Sequence, residues 1–220
     1  MRTRVPAAIA AGLLALTGAL TACGSGSAPS PPSGVDGLVV PTPDPEPADF
    51  VAAIDNPWLP LAPGTRWEYA DEATGQPALV LTVEAGPEVA GIATTTLVRT
   101  PAEGAEVRDH YAQDRAGNVW WLGRVGAWQA GVSGAQAGLA MPARPRFGDG
   151  FRTALAPGAS EVATVRALGE EVTVPLATYD RTLELEVADA AGESRTEVYA
   201  RGVGLVRTDR LALVGVEEPR

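Results

Sequence analysis

Cys23 is the one thiol in a chain of 220 residues, and it closes the run Leu20-Thr21-Ala22-Cys23. An apolar residue and two small residues ahead of a cysteine form a lipobox. The chemistry it predicts is transfer of a diacylglyceryl group to the Cys23 sulfur, with cleavage of the chain in front of that residue. Arg2 and Arg4, followed by the apolar run from Val5 to Leu20, supply the signal sequence such processing needs. The run falls short of the roughly 20 apolar residues of a stable membrane span, so removal of residues 1–22 is expected rather than permanent insertion. With no second cysteine there is no internal disulfide, no thiolate metal site and no spare nucleophilic thiol. Each buried CH₂ contributes about 0.8 kcal/mol, and two acyl chains on one residue suffice for stable anchoring.

The remaining candidates for chemistry are sparse. Asp109-His110-Tyr111 holds the one histidine, too few for a typical zinc site without cysteine partners. No Gly-x-Ser-x-Gly elbow is present, and Gly131-Val-Ser133-Gly134 is a weak serine context for a Ser-His-Asp hydrolase. His110 is therefore expected as a polar member of a solvent-facing row. Asp114-Arg-Ala-Gly-Asn118 clusters oxygen ligands but lacks the alternating acids and distal glutamate of a calcium loop, so it reads as a hairpin turn. Nothing in the spacing selects a glycosidase pair from the 27 acids, and the doublets Glu170-Glu171 and Glu217-Glu218 read as solvated surface. No catalytic, cofactor-binding or metal-ligating residue is assigned.

Tryptophan carries more information. Of Trp58, Trp67, Trp120, Trp121 and Trp128, the adjacent pair Trp120 and Trp121 lies in a strand-like run. Neighbouring strand residues point to opposite faces, so both faces must accept a large aromatic there. One face is core. The other is either covered by the Gly-, Ala- and Pro-rich stretch 127–150 or open to an apolar ligand, and covering is the expected arrangement. The candidate ligand face comprises Trp120, Trp121, Trp128, Leu139 and Met141, with Phe147 as a further packing partner.

The elements that must position these residues are strands. Leu79, Leu81 and Val83 alternate with Val80, Thr82 and Glu84; Leu183, Leu185 and Val187 alternate with Thr182, Glu184 and Glu186; Val172, Val174 and Leu176 repeat the pattern. Period-2 alternation marks a sheet with one buried face. Asp71 to Gly75, Asp114 to Gly117 and Asp189 to Gly192 read as hairpin turns in which glycine takes the left-handed position. No capped helical repeat follows Pro47. The predicted fold is mainly β: a single large curved antiparallel sheet of nine to eleven strands, half-barrel-like, with a long covering loop. Residues 1–22 form the signal peptide. Residues 23–48 form the lipidated N-terminus and a disordered Pro/Gly/Ser-rich tether, with a proline part that extends about 3.1 Å per residue. Residues 49–220 form the β domain.

Removing residues 1–22 takes away two arginines and no acid, leaving fifteen basic against twenty-seven acidic residues and a net charge of −12. A surface that acidic does not suit a phosphate backbone, so nucleic acid is not an expected partner. It also does not suit a domain lying flat on anionic lipid. Every basic residue is arginine, which together with the abundance of Ala, Gly, Pro and Val fits a high-GC bacterial coding bias.

Several segments resemble a family of uncharacterised secreted bacterial proteins, many of them lipoproteins. They are Ile54-Asp-Asn-Pro-Trp-Leu-Pro-Leu61 with Pro63-Gly-Thr-Arg-Trp67-Glu-Tyr69; Tyr111-Ala-Gln-Asp-Arg-Ala-Gly-Asn-Val-Trp-Trp121; Gly138-Leu-Ala-Met-Pro-Ala143 with Gly148-Asp149; and Tyr199-Ala-Arg-Gly-Val-Gly-Leu-Val206. The resemblance spans about residues 50–207. The chain is also distantly similar to half-barrel lipoprotein carriers and lipid-binding envelope lipoproteins, which bind acyl chains on a concave face. It departs from them in lacking long lid helices. These readings combine into a non-catalytic envelope lipoprotein on the extracytoplasmic face of the membrane, held by the lipid on Cys23. It is expected to bind a lipid-like apolar ligand or a partner protein and to need no cofactor. The alternatives are a structural or interaction module of the envelope with a filled core, and a hydrolase.

Overall fold

The computed structural model describes residues 46–156 and 159–219. Cys23, the signal sequence and the tether through Pro45 lie outside the described residues. A 3₁₀ turn at Pro47–Asp49 leads into β1 (Phe50–Val51). The strands then run β2 (Arg66–Asp71), β3 (Pro77–Val89), β4 (Ile92–Pro101), β5 (Val107–Asp114), β6 (Val119–Arg124), β7 (Trp128–Gln129) and β8 (Gly138–Met141). The second half holds β9 (Gly150–Ala156), β10 (Ala159–Leu168), β11 (Val172–Thr173), β12 (Thr178–Tyr179), β13 (Thr182–Asp189), β14 (Ser194–Ala200), β15 (Gly204–Thr208) and β16 (Leu211–Glu217).

The main sheet is antiparallel throughout, in the order β7-β6-β5-β4-β3-β2-β16-β15-β14-β13-β10-β9. Two meanders are thus joined where the last strand pairs with β2. All three expected turns are hairpins, and each is held by its leading aspartate. Asp71 accepts from the backbone N–H of Ala73 and Thr74, Asp114 from that of Asn118, and Asp189 from those of Ala191 and Glu193. Gly75, Gly117 and Gly192 take the positive φ each turn needs. Asp114 spends both oxygens inside the protein, since Asn118 Nδ2 and Trp120 Nε1 also donate to it at 2.9 Å.

The sheet curls further than a half-barrel. β8 pairs with β6, with Val119 opposite Met141 and Trp120 opposite Leu139, while just ahead of it Gln136 bridges to Leu155 of β9. The 127–150 stretch does its covering as part of this wall, where β7 and β8 fill the space between the sheet's two ends. Gly138 permits the approach, because a Cβ there would overlap the backbone carbonyl of Thr153 on β9. A second thin place lies between β15 and β16, which share one registered pair, Arg207 with Ala212. Side chains cross it: Trp67 Nε1 donates to the Val203 carbonyl and the Tyr69 hydroxyl to that of Leu205, both at 2.8 Å.

The expected strand through Val172, Val174 and Leu176 is cut short. Only Val172–Thr173 is extended, in a small hairpin with β12 outside the main sheet. Pro175 lacks the N–H a ladder requires, and Val174 and Ala177 close a turn around it with 3.0 and 3.1 Å backbone bonds.

His110 also departs from expectation. It is buried rather than solvent-facing, with Nδ1 2.9 Å from Thr96 Oγ1. Desolvation pushes its pKa below the ordinary histidine value, Asp109 works in the opposite direction, and Arg108 adds to the lowering. The unfolded chain therefore takes up this proton at a higher pH than the folded one. Stability from neutral His110 is complete above about pH 6.5 and is lost as pH falls below it. Thermal unfolding between roughly pH 6.5 and 5, above most carboxylate titration, should show a falling melting temperature. His110→Gln should flatten that slope; an unchanged slope would mean the proton is taken up elsewhere.

Candidate functional site

Inside the curl lies a cavity of about 280 Å³. One end is floored by the segment that carries Ile54-Asp-Asn-Pro-Trp-Leu-Pro-Leu61. This segment reaches across opposite arcs of the sheet. Asn56 Nδ2 donates to the carbonyls of Gly117 in the β5–β6 turn (2.8 Å) and Pro142 just after β8 (3.2 Å). Gln113 Oε1 on β5 accepts from the backbone of Asp55 and Asn56. On the far side the Pro57 carbonyl accepts from Gly202 in the β14–β15 turn, and Arg201 lies 6.0 Å from the Trp58 ring. Leu59 and Leu61 are thereby carried under the barrel, with Leu59 lining the cavity.

Toward the other end the wall becomes charged. On β4, β5 and β6, the Asp109 carboxylate has no solvent exposure and is shared by two arginines. Arg124 Nε donates to Oδ1 at 2.8 Å and Nη2 to Oδ2 at 3.2 Å; Arg99 Nε donates to Oδ2 at 3.2 Å. Opposite them, on β10 and β14, Arg195 pairs with Glu161 at 3.2 Å and with Glu197 at 2.7 Å. The Tyr199 hydroxyl completes that group by donating to Glu197 Oε2 at 2.7 Å. Thr153 of β9 lies 3.4 Å from Glu161.

A β-bulge makes the first of these groups. Tyr111 sits opposite Trp121, but His110 sits opposite Gly123 and Asp109 opposite Arg124, so Leu122 is an extra residue on β6. Without it, alternation would put Arg124 on the face away from Trp121. The bulge turns Arg124 inward, 4.9 Å above the Trp121 ring and onto Asp109. Trp121 is further held by Tyr111, stacked with centroids 6.4 Å apart, and by Trp128, edge-on at 5.0 Å.

The charges reshape their neighbours. Burial raises the Tyr111 pKa and Asp109 raises it further, against the lowering effect of Arg99 and Arg124. Tyr199 is likewise raised, first by burial and then by Glu197. Burial works against the charge of Arg99, yet Tyr111, Asp109 and Glu197 together lift its pKa above the ordinary value. Both phenols thus stay protonated, Tyr199 as the donor to Glu197, and Arg99 stays cationic, throughout the physiological range.

The sequence-selected residues divide among different places. Trp121 lines the cavity, and Trp128 backs it while remaining half-buried, its Nε1 without a hydrogen-bond partner among the described residues. Trp120, Leu139 and Met141 are fully buried core, and on β8 it is Ala140 that lines the cavity. Sequence alone does not single out Arg99, Asp109, Arg124, Glu161, Arg195 or Glu197. Part of the signal was available: Arg195, Glu197 and Tyr199 alternate in phase, as do Leu97 with Arg99 and Asp109 with Tyr111. Among the described residues, no group of three His, Cys, Asp or Glu side chains is placed to hold a metal ion.

Fold and site together define a nearly closed, all-antiparallel β-barrel with a small internal cavity that is apolar at its floor and charged toward its mouth. No protein-family model matches the chain, and no curated protein matches it. Two solved structures are similar to it. One is a Bacteroides fragilis NCTC 9343 protein described as exported, with a YmcC-like fold, at 14% identity and a TM-score of 0.40 over 73% of this chain and 99% of that one. The other, described as a lipoprotein of Parabacteroides distasonis ATCC 8503, has 14% identity and a TM-score of 0.34 over 73% and 98%. At those scores neither decides what this chain does.

Proposed function

We propose that the protein is a membrane-anchored bacterial envelope lipoprotein, non-catalytic, whose barrel binds a small amphiphilic ligand. The lipobox at Cys23 supports the anchoring. The observation that carries the binding reading is the 280 Å³ cavity, lined by the apolar Leu59, Leu97 and Trp121 together with the charged Arg99, Arg124 and Arg195. Ligand pockets run from roughly 300 to 1,000 Å³. A space just under that range suits a headgroup or a short chain better than two full acyl chains. His110 bonds to Thr96, not to an acid or a serine, so the geometry lends nothing to a hydrolase.

The test is native mass spectrometry of the full chain taken from membranes, together with tryptophan fluorescence during titration with a fatty-acyl probe. The expected result is a co-purifying small-molecule mass and a fluorescence change that Trp121→Phe reduces by more than half. A single protein mass with no adduct, and tryptophans blind to the probe, would leave the filled interaction module as the better reading. Crosslinking in intact membranes should then return a recurrent protein partner.

A further inference from the structure

Charge balance narrows the ligand. This step rests on the binding reading above and adds the ligand's chemical class. On the β4–β5–β6 wall two arginines share one carboxylate, leaving one positive charge in excess. On the β10–β14 wall two carboxylates share one arginine, leaving one negative charge in excess. All of these residues except Asp109 line the same cavity, and Asp109 is enclosed behind its two arginines.

Donors and acceptors are left over on the matching walls. Arg124 spends Nε and Nη2 on Asp109, and Nη1 has no partner among the described residues. Arg99 spends Nε there, and its other N–H groups lie beside Tyr111 and the cavity. On the far wall the oxygens of Glu161 and Glu197 accept from Arg195, the Tyr199 hydroxyl and, at 3.4 Å, Thr153, and still offer further lone pairs with one guanidinium to balance two carboxylates. A simple anion would enter a balanced site and leave it net negative, facing Glu161 and Glu197. A simple cation would meet three arginines. Uncompensated charge in a space partly shielded from water is costly. A molecule that brings an anionic group to Arg99 and Arg124 and an ammonium to Glu161 and Glu197 adds no net charge and satisfies both walls.

We infer that the cavity takes a small zwitterion, an anion and an ammonium joined by a short linker, with its apolar part against Leu59, Leu97 and Trp121. Two sources offer that chemistry: a free amino acid, and the phosphoethanolamine headgroup of a lipid. The experiment places the full chain in phosphatidylglycerol vesicles, which present no ammonium. Binding is followed by calorimetry and tryptophan fluorescence. The probes are leucine, 4-methylpentanoate (its anion alone), 3-methylbutylamine (its cation alone) and glycerophosphoethanolamine.

Leucine or glycerophosphoethanolamine should bind at least about tenfold more tightly than either single-charge analogue, and the tighter of the two identifies the source. Arg124→Gln and Glu197→Gln should each weaken that zwitterion about tenfold, and Glu197→Gln should also narrow its advantage over 4-methylpentanoate. Melting curves show whether each variant folds, and Glu161→Gln reads the same subsite if Glu197→Gln does not. Equal binding of 4-methylpentanoate and leucine overturns the zwitterion. So does silence of all four probes while a fatty-acyl probe still binds, an outcome that leaves the binding reading standing. Silence of every probe removes both.

Discussion

Asp109→Ala should destabilise the domain by about 3 kcal/mol, visible as a lower denaturant midpoint with an unchanged slope. Asp109 is the one fully enclosed member of the charged set, and both its oxygens are in use. Removing it leaves two guanidiniums facing each other with no anion between them. Breaking a buried ion pair from one side typically costs 3–5 kcal/mol. The low end applies because the arginine side chains are 35% and 38% exposed and water can reach them. The triple change Arg99→Met, Asp109→Leu, Arg124→Met should recover most of that loss, since matched apolar groups often replace a buried ion triad without penalty. The triple variant should nevertheless no longer hold a zwitterion, whose anionic group has lost both Arg99 and Arg124. A fold that tolerates the triple change while binding disappears would mark these charges as kept for the ligand. A triple variant as unstable as Asp109→Ala would mark them as structural.

Asn56→Ala should cost a similar amount, about 3 kcal/mol. The side chain is 1% exposed and fully engaged: Nδ2 on the carbonyls of Gly117 and Pro142, Oδ1 accepting from Trp58 and Leu59 N–H at 2.8 and 3.2 Å. Alanine leaves three backbone groups without a partner, the Gly117 and Pro142 carbonyls and the Trp58 N–H, each costing about 1 kcal/mol or more, while Leu59 N–H keeps the Asn56 backbone carbonyl at 3.2 Å. Asn56→Asp should be no better. It keeps the acceptor for Trp58 and Leu59 but sets a carboxylate oxygen against two carbonyls. Because this segment floors the cavity, both variants should also raise hydrogen exchange at Leu59 and Leu61 ahead of global unfolding. Exchange that rises uniformly across the domain would argue against a separately anchored floor.

Much of the architecture is legible in the chain. Leu79, Leu81 and Val83, and Leu183, Leu185 and Val187, announce strands with one buried face, and those residues are partly or fully buried on β3 and β13. The Asp-to-Gly turns follow from local chemistry alone, an aspartate oxygen capping backbone N–H groups and a glycine at positive φ. The site was far less legible. Arg99, Glu161 and Glu197 read individually as ordinary surface charges on strand residues, because surface is where most charges belong.

Sequence by itself thus determined what depends on near neighbours: an antiparallel β domain and its hairpins. Tertiary structure decided which face is enclosed and what stands across from what. Alternation says that Arg195, Glu197 and Tyr199 share a face. It does not say that the face curls into a cavity, or that Arg99 and Trp121 line the same space. The bulge at Leu122 reverses even the local rule for Arg124, since one extra residue moves every later side chain to the other face. Closure through β8 and flooring by residues 54–61 come from contacts between segments far apart in the chain, so no local pattern of residues could announce them.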